Sequence, residues 1–280
     1  MLRDPHHKYN RLYVYYFDRE DLPPVDDQDY IGTWVEDGKA LLFFHHPKDE
    51  LVQSICRDTG ADIIYQADLD YRDWEAGTVI NEFSTKTLTV CPVWKKDIKR
   101  TGENQQIILD PSVIFGSGFH ATTRLCLETL ELIFLESGEH IETVLDLGTG
   151  TGLLGIAAAG LGARKVTVVD NNPLACEVAR KNIGLNDCTS RIEVRQIDLI
   201  NDKPSTGGYD LVIANLYKGL LLHLFEDPEF WKAKMYLVSG FISGMEGELL
   251  AALPERNIHI LHRANREMWR LWLLKNKLQE

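Results

Sequence analysis

The 280-residue sequence contains no long apolar run, and its first ten residues, MLRDPHHKYN, lack the apolar core of a secretion signal. A membrane-spanning helix needs roughly 18 or more consecutive apolar residues, so none is predicted. The five cysteines, at positions 56, 91, 126, 176 and 188, include no C-x-x-C pair, which predicts scattered reduced thiols. These absences together predict a cytoplasmic protein without a membrane anchor.

Basic side chains are outnumbered, since the chain has 30 Lys and Arg against 42 Asp and Glu, for a net charge of −12. An acidic protein repels phosphate backbones at long range, so direct nucleic-acid binding is not expected. The same charge favours a basic protein as partner, although solubility alone also accounts for it. With 44% hydrophobic and 26% charged residues, the composition is that of a globular protein with a sizeable core.

Clusters of metal-ligating or nucleophilic residues are also missing. Histidines are adjacent at positions 6 and 7 and at 45 and 46, but neighbouring residues on a strand point to opposite faces and chelate poorly. No group of Cys, Asp or Glu supports them, and no Ser or Cys lies in a recognisable nucleophile sequence. The sequence therefore predicts no bound metal.

The most informative segment that is present is VLDLGTGTGLLG, residues 144–155. A short apolar run ends in glycines at 148, 150 and 152, and a helix-like run over 153–161 follows at once. This pattern predicts a buried strand, a tight turn and a helix N-terminus. Glycine lets the backbone approach a ligand closely, and the start of a helix offers unpaired N–H groups to an anionic group.

Two cofactors suit such a turn, and the first is a dinucleotide. Gly150, Gly152 and Gly155 satisfy G-x-G-x-x-G, and Asp170 follows Gly150 by 20 residues, which is the dinucleotide spacing. On this interpretation the chain is an NAD-dependent oxidoreductase, and the Asp170 carboxylate accepts the ribose hydroxyls.

The second interpretation is the D-x-G-x-G-x-G signature of class I S-adenosylmethionine-dependent methyltransferases, formed by Asp146, Gly148, Gly150 and Gly152. A carboxylate at position 146 repels a pyrophosphate dianion, whereas a sulfonium with an α-ammonium group tolerates it. Asp170 keeps its ribose role with either cofactor. The extra carboxylate therefore favours the methyl donor.

Strands and helices alternate from residue 107 onward, which predicts a mostly parallel sheet covered on both faces and completed by a C-terminal antiparallel hairpin. The predicted strands are 144–147, 165–169, 192–196, 211–214 and 235–238, and the hairpin is 258–262 and 267–274. The predicted helices are 122–136, 153–161, 173–182, 218–225 and 246–252. The predicted fold class is therefore α/β, a Rossmann-like class I methyltransferase sheet.

The first part of the chain predicts a small α+β domain over 1–72. Its predicted elements are strands 11–17, 30–36, 40–44 and 62–69, a turn at Asp37-Gly38 between the second and third strands, and a helix 47–59. The acidic segment DREDLPPVDDQD, residues 18–29, contains two adjacent prolines and predicts a loop. Residues 73–106, with a short strand at 87–90, are predicted to be a linker, and 107–280 the methyltransferase domain.

Three further segments lie where α/β sheets bind ligands. The GSG sequence at 116–118 predicts a flexible turn before a helix that Thr122 or Thr123 caps. Asp198, after the third strand, either receives an adenine amine or forms a turn. Asn215, just past the fourth strand, either holds the attacking nitrogen of a substrate or is an ordinary loop residue. Methyltransferases of bases and glutamine carry two prolines after such an Asn, and their absence counts against those substrates.

These segments together resemble the PrmA family, whose members methylate the eleventh protein of the large ribosomal subunit. The resemblance runs from about Trp74 to the C-terminus and rests on LDPSVIFGSGFHATTRLCLETL, VLDLGTGTGLLGIAAAGLGARKV, VDNNPLACEVARKN, DLVIANLYKGLL and LVSGFI. The first segment keeps the family's Asp110, Pro111, Phe115, Gly116, Gly118, His120, Thr122 and Thr123. Ser112 and Ser117 stand where glycine and threonine are usual.

The resemblance implies S-adenosylmethionine-dependent transfer of methyl groups to lysine or α-amino groups of a protein, with a ribosomal protein as partner. It also implies that Asn215 is the catalytic residue, beside the acceptor nitrogen. The implied cofactor-binding residues are Phe115, Gly116, Thr122, Thr123, Asp146, Gly148, Gly150, Gly152, Asp170, Asn171, Asp198 and Asn215. The amine attacks the methyl group in line with the departing sulfur, so positioning carries most of the catalysis.

The N-terminal region departs from the family, whose substrate-recognition domain begins strand–helix–strand. Here DREDLPPVDDQD replaces the first helix, so we expect the substrate-recognition domain to differ from that of the family. The open alternatives for the substrate are a ribosomal protein, an electron-transfer flavoprotein subunit, as in a related branch, and another basic protein. A non-catalytic binding module that keeps the fold is the remaining alternative to an enzyme.

Overall fold

The computed structural model of the chain describes residues 9–36, 38–74, 79–95, 104–254 and 257–279. Its strands are β1 (Arg11–Phe17), β2 (Tyr30–Glu36), β3 (Lys39–Phe44), β4 (Ile63–Asp70), β5 (Phe83–Ser84), β6 (Leu88–Pro92), β7 (Gln105–Leu109), β8 (Thr143–Leu147), β9 (Lys165–Asp170), β10 (Ile192–Gln196), β11 (Leu211–Asn215), β12 (Met235–Ile242), β13 (Ile258–Arg266) and β14 (Trp269–Asn276). Its α-helices are α1 (Asp49–Thr59), α2 (Tyr71–Trp74), α3 (Ala121–Leu135), α4 (Leu153–Leu161), α5 (Pro173–Leu185), α6 (Lys218–Phe225) and α7 (Glu246–Ala251).

The largest sheet has seven strands in the order β10-β9-β8-β11-β12-β14-β13. The first five are parallel neighbours, and β14 and β13 are added antiparallel. This confirms the predicted α/β fold with its C-terminal hairpin. Apolar clusters are buried on both faces, as expected of parallel strands covered by helices. The carboxyl ends of β8, β9 and β11 therefore meet at one edge of the sheet.

Several elements of this sheet region have the predicted bounds, and others run on further, among them β12, β13 and α5. α4, α6 and β10 begin and end where the sequence predicts. β12 continues to Ile242 because it stays paired with β14, where Ile242 faces Trp269. α5 continues past the predicted end at residue 182, since the Asn186 side chain closes its last turn by donating to Asn182 O at 2.7 Å.

The first four strands form an antiparallel sheet in the order β2-β3-β1-β4, and α1 packs Val52 and Ile55 into its apolar cluster. The predicted loop 18–29 carries neither helix nor strand. The predicted turn at 37–38 includes residue 37, which lies outside the described residues. A second cluster joins this sheet to the sheet region; its buried members are Tyr9, Leu12, Val14, Ile31, Phe43, Tyr71, Ile80, Val113, Ile114, Leu174, Ala175 and Val178.

The range 73–106, predicted as a linker, contains β5, β6 and the start of β7. β6 pairs antiparallel with β5 and parallel with β7, which forms a separate three-stranded sheet. The Glu131 carboxylate of α3 anchors it by accepting the N–H groups of Thr87, at 2.6 Å, and Leu88, at 3.1 Å. β5 and β7 were not predicted, because such short strands show no alternation. Residues 96–103 lie outside the described residues, and the predicted domain bounds stay predictions.

No helix in the part of the chain that the structure describes is long and apolar enough to cross a membrane. Within the same ranges, His, Cys, Asp and Glu side chains form no group of three or more placed to hold a metal ion. Of the adjacent histidines, His45 lies beside the Tyr9 ring, with centroids 5.0 Å apart, and His46 Nδ1 lies 2.8 Å from Asp29. Residues 6 and 7 lie outside the described ranges.

Candidate active site

The glycine turn, residues 148–152, connects β8 to α4, and Gly152 is the N-cap of that helix. Contrary to the expectation from the sequence, four of its backbone N–H groups are already bonded within the chain. Thr149 N donates to Val169 O at 2.9 Å, Gly150 N to Asp170 Oδ2 at 2.9 Å, Thr151 N to Phe115 O at 3.2 Å, and Gly152 N to Thr149 O at 3.0 Å. A pyrophosphate would have to displace these bonds, so the turn disfavours a dinucleotide.

Gly150 is required by the packing of the chain itself. Its φ is +55°, in the left-handed region that favours glycine. A Cβ atom at this position would collide with the backbone carbonyl oxygen of Phe115. The space that the sequence suggested for a ligand is therefore filled, at Gly150, by the loop that precedes α3.

Asp146 lies inside the turn and holds its shape. The side chain is 1% exposed, and Oδ2 accepts the Thr149 hydroxyl at 2.6 Å and the Gly155 N–H at 3.2 Å. Burial raises the pKa of the Asp146 carboxyl to about 7; the two hydrogen bonds act against this shift and the nearby Asp170 charge adds to it. Asp146 therefore acts on any ligand through the turn that it supports.

Asp170 ends β9 and faces the same turn. One of its oxygens accepts the Gly150 N–H at 2.9 Å, and the other accepts the Asn172 N–H at 3.0 Å. Burial raises the pKa of Asp170, whereas these hydrogen bonds lower it. Each carboxylate oxygen keeps a further lone pair, so the group can still accept two hydroxyl hydrogens from a ligand.

The loop 109–120 is fastened to the glycine turn and to α5. The Thr151 hydroxyl donates to Gly116 O at 2.7 Å. Asn182 of α5 is fully buried; its Nδ2 donates to Asp110 O at 2.9 Å and to Thr151 O at 2.8 Å, and its Oδ1 accepts the Asp110 N–H at 2.7 Å. One amide side chain thus sets the spacing of loop, turn and helix.

Asn182 and Gly240 are positioning residues that the sequence reasoning missed. Asn182 shares the apolar face of α5 with Leu174 and Val178, and a polar residue at that helical spacing was the available signal. Gly240 lies within β12, where a Cβ atom would collide with the backbone of Leu216. A glycine inside a predicted strand signals such a close backbone approach.

Ser112 stands in the same loop at φ +49°, where the PrmA pattern has glycine. Its N–H donates to Asp110 Oδ1 at 3.1 Å, and its carbonyl oxygen accepts the Tyr71 hydroxyl. Asp110 is buried, pairs with Lys181 Nζ at 2.9 Å and accepts the Tyr9 hydroxyl at 2.9 Å. Two tyrosines of the N-terminal region therefore help to hold the loop.

α3 begins at Ala121, and His120 is its N-cap, with Nδ1 accepting the Thr122 N–H at 3.3 Å. The prediction that Thr122 or Thr123 caps this helix is therefore wrong. Both threonines are buried, and Thr123 Oγ1 has no hydrogen-bond partner among the described atoms. A buried hydroxyl without a partner is costly, so this position favours a polar group of a ligand.

The remaining predicted site residues follow the next strands. Asp198 accepts the Ile200 N–H at 3.0 Å and the Asn201 amide at 2.6 Å, which lower its pKa and support the turn-forming interpretation. Asn171 is exposed directly after β9. Asn215 ends β11 half-buried, and its side chain has no hydrogen-bond partner in the described ranges. The site thus offers Asp170, Thr123 and Asn215 as polar groups with capacity for a ligand.

These three groups fit S-adenosylmethionine, which has ribose hydroxyls, a polar amino-acid end and a methyl group to be transferred. The turn that keeps its own N–H groups occupied, beside the buried Asp146, does not fit a pyrophosphate. The role of each residue toward the cofactor stays a prediction.

Relatives of known class agree with this choice. The family model of ribosomal protein L11 methyltransferase (PrmA) matches residues 57–277. The chain is 34% identical over 218 residues to the ribosomal protein L11 methyltransferase of Exiguobacterium sp., covering 76% of this chain and 67% of that protein. It is 38% identical over 180 residues to the protein of that name from Desulfitobacterium hafniense, covering 64% of this chain and 55% of that one.

A solved structure, the ribosomal protein L11 methylase of Lactobacillus delbrueckii subsp. bulgaricus, superposes with a TM-score of 0.61 at 27% identity, covering 70% of this chain and 99% of that one. The chain thus spans about 55% to 67% of the length of the two curated relatives, and the family match begins after β3. The predicted methyltransferase class and its cofactor, S-adenosylmethionine, are confirmed, and nothing here supports an NAD-dependent oxidoreductase. The chain belongs to the ribosomal protein L11 methyltransferase (PrmA) family.

Proposed function

We propose that this chain methylates amino groups of a ribosomal protein, with S-adenosylmethionine held at the carboxyl edge of the seven-stranded sheet. The observation that carries this proposal is the placement of Asp170 and Asn215 at the ends of β9 and β11, on either side of β8. One group has lone pairs for a ribose, and the other is an amide without a side-chain partner in the described ranges.

The proposed cofactor site is built from the ends of three strands and the start of α3. Asp170 accepts the ribose hydroxyls, and the Thr123 hydroxyl meets the amino-acid end of the cofactor. The full proposed set is Phe115, Gly116, Thr122, Thr123, Asp146, Gly148, Gly150, Gly152, Asp170, Asn171, Asp198 and Asn215. Within it, Asp146 and Gly150 act by fixing the turn, since their contacts are with the chain itself.

Asn215 is the proposed catalytic residue. S-adenosylmethionine supplies an electrophilic methyl group, and its transfer to an amine leaves S-adenosylhomocysteine and one released proton. The amide oxygen of Asn215 accepts an N–H of the acceptor amine and so directs the nitrogen lone pair. The backbone beside it is fixed, because Leu216 N donates to Ser239 O at 3.1 Å and Gly240 lets the two segments approach closely. Such positioning carries most of the catalysis.

The proposed substrate follows from the family, whose members named above are methyltransferases of ribosomal protein L11. A basic ribosomal protein also complements the net charge of −12. A second candidate is a different basic protein, and one observation favours it: the family match begins at residue 57, so β1, β2 and β3 lie outside it. Direct nucleic-acid binding is not part of either proposal.

The test is a methyl-transfer assay in which S-adenosylmethionine with a labelled methyl group is supplied with purified ribosomal protein L11. We expect label on lysine or α-amino groups of L11, located by peptide mass spectrometry. Asn215→Ala is the matched impaired variant, and Asn265→Ala, at an exposed position of β13, is the active control. Label on another protein of the ribosome or cell extract, with L11 unmodified, would show that this other protein is the substrate. No label on any protein would overturn the proposal.

A further inference from the structure

A cleft of about 480 Å³ lies beside the loop 113–121, outside the cofactor residues that end the strands. Its walls carry three tryptophans from distant parts of the chain, Trp34 on β2, Trp74 on α2 and Trp269 on β14. All three are partly buried, so each keeps part of its surface accessible. We call this feature the tryptophan cleft.

Among the described residues that line the tryptophan cleft, Glu267 is the charged one, and it is exposed. Arg124 does not line the cleft, but its guanidinium lies 5.4 Å from the ring centroid of Phe119, which does. His120 also lines it, and burial lowers the pKa of His120, with the nearby Glu267 charge acting against that shift. The imidazole packs edge-on against Trp269, with centroids 4.6 Å apart, and leaves Glu267 as the charged group.

Aromatic faces next to a carboxylate suit a cation on an aliphatic stem. A lysine side chain can lay its methylene groups along the rings and place its ammonium near a ring face and the carboxylate. An anionic side chain would meet only repulsion from Glu267. The chemical class that the cleft favours is therefore an alkylammonium.

The tryptophan cleft is also next to the proposed site of transfer. Phe115 and Gly116 line it, and the same two residues are bonded through their carbonyl oxygens to Thr151 of the glycine turn. Ala121, at its other side, precedes Thr122 and Thr123. A side chain bound in the cleft therefore lies next to the loop that carries Phe115 and Gly116 of the proposed cofactor site.

We propose that the tryptophan cleft binds a lysine side chain of the protein substrate, beside the amine that receives the methyl group. This inference rests on the proposed function, because it takes the substrate to be a protein. Trp34 lies on β2, ahead of the family match at residue 57, so this wall is supplied by the part of the chain that departs from the family. The cleft therefore links the altered N-terminal sheet to the choice of substrate.

The direct test uses indole N–H resonances in a two-dimensional NMR spectrum of the full chain. Nα-acetyl-lysine N-methylamide is titrated through the millimolar range in the presence of S-adenosylhomocysteine. We expect the signals of Trp34, Trp74 and Trp269 to move. Trp231 and Trp272 are internal controls, because neither of them lines the tryptophan cleft. Trp74 lines it although its indole nitrogen donates to Val113 O at 3.1 Å, so we expect its signal to move less than those of Trp34 and Trp269.

The uncharged norleucine analogue separates cation binding from apolar contact. We expect it to shift the three cleft signals much less than the lysine compound does. Equal shifts with both compounds, shifts spread over all the tryptophans, or no shift at all would overturn the proposal. The result is independent of methyl transfer, so it stands apart from the assay of the proposed function.

Variants then connect the cleft to catalysis. Glu267→Gln should raise KM for the protein substrate by roughly two- to fivefold, and Trp269→Leu by roughly two- to thirtyfold. Both should leave kcat and S-adenosylhomocysteine binding unchanged. Trp94→Leu is the matched control, because Trp94 is also partly buried but lines a different cleft. A KM that is unchanged in both variants, or raised equally in Trp94→Leu, would contradict the role of the tryptophan cleft.

Discussion

The glycine turn and the segment that begins at Asn215 lie at the same edge of the seven-stranded sheet, yet the chain holds them differently. In the turn, four N–H groups and the Gly150 backbone are committed to contacts within the chain. At the other segment, Tyr217 is 62% exposed and the Asn215 side chain lacks a partner in the described ranges. Phe115 belongs to both kinds of contact: its carbonyl oxygen accepts the Thr151 N–H of the turn, whereas its side chain is 54% exposed.

The difference separates two tasks of one site. The glycine turn and the residues bonded to it form a fixed half, which binds the small cofactor without further ordering because its hydrogen bonds already exist before binding. The segment from Asn215 to Tyr217 forms an open half, which admits a large protein acceptor and presents polar and aromatic groups to it. Changes that break a contact within the fixed half should therefore lower stability and cofactor binding together, whereas changes in the open half should mainly lower turnover.

The largest expected effect is that of Gly150→Ala. The added Cβ meets the Phe115 carbonyl oxygen and the backbone is at φ +55°, so we expect the free energy of unfolding to fall by about 3–5 kcal/mol. Gly60→Ala is the control, because Gly60 also has φ +70° but open space around it, and about 1 kcal/mol is expected there. Chemical denaturation measures both values, and equal losses of unfolding free energy in the two variants would show that the added Cβ does not collide with Phe115.

The next effect depends on pH through Asp146. Its pKa is raised to about 7 in the folded chain, so the folded state binds the proton more tightly than the unfolded state. Stability from this group therefore falls as pH rises from about 4 to about 7, and stays lowered above that range. Asp146→Asn keeps an oxygen for Thr149 and Gly155 and removes the titration.

We expect wild type and Asp146→Asn to be similarly stable near pH 4 and the variant to be more stable above pH 7, by roughly 2–4 kcal/mol. Denaturation of the cofactor-free protein across this range measures the difference. A difference that does not change with pH would show that the carboxyl has its ordinary pKa.

Asn182→Leu should cost about 2–3 kcal/mol, since it leaves the Asp110 N–H and two carbonyl oxygens without partners in a buried place. S-adenosylhomocysteine binding should weaken with it, because the loop loses its tie to the turn. Asn171→Leu, at an exposed position, is the control for stability. Unchanged stability of Asn182→Leu would show that these hydrogen bonds do not hold the fixed half together.

The smallest effect on stability belongs to the open half. Asn215→Ala should change the free energy of unfolding by less than about 0.5 kcal/mol while lowering kcat by roughly tenfold or more. Denaturation and steady-state methyl transfer on the same preparation give both values. Loss of stability with kcat intact would reverse the division between the two halves.

How much of this site is visible in the sequence depends on how local its cause is. The strand–turn–helix unit at 144–161 is encoded in consecutive residues, so its position and its Asp146 were predictable. The long-range ties were not: Asn182 meets Asp110 across 72 positions, and β6 pairs with β7 without any alternating pattern. His120 as the N-cap was missed because serine and threonine usually take that role.

The tryptophan cleft shows the same limit more strongly. Trp34, Trp74 and Trp269 come from three separate regions. The N-terminal sheet packs against α5 and the loop before α3, and Trp269 packs against His120 at the end of that loop, which places the three rings around one cleft. Each tryptophan alone is an ordinary apolar residue. Their proximity is a property of the tertiary structure and cannot be predicted from local sequence patterns.

The most direct measurement is a calorimetric titration of the full chain with S-adenosylhomocysteine, and separately with NAD, for wild type, Asp170→Asn and Asn215→Ala. We expect micromolar binding of S-adenosylhomocysteine, weakened roughly five- to 150-fold in Asp170→Asn and much less in Asn215→Ala, with no binding of NAD. Binding of NAD, or equal affinity in wild type and Asp170→Asn, would contradict the assignment of the fixed half to the cofactor.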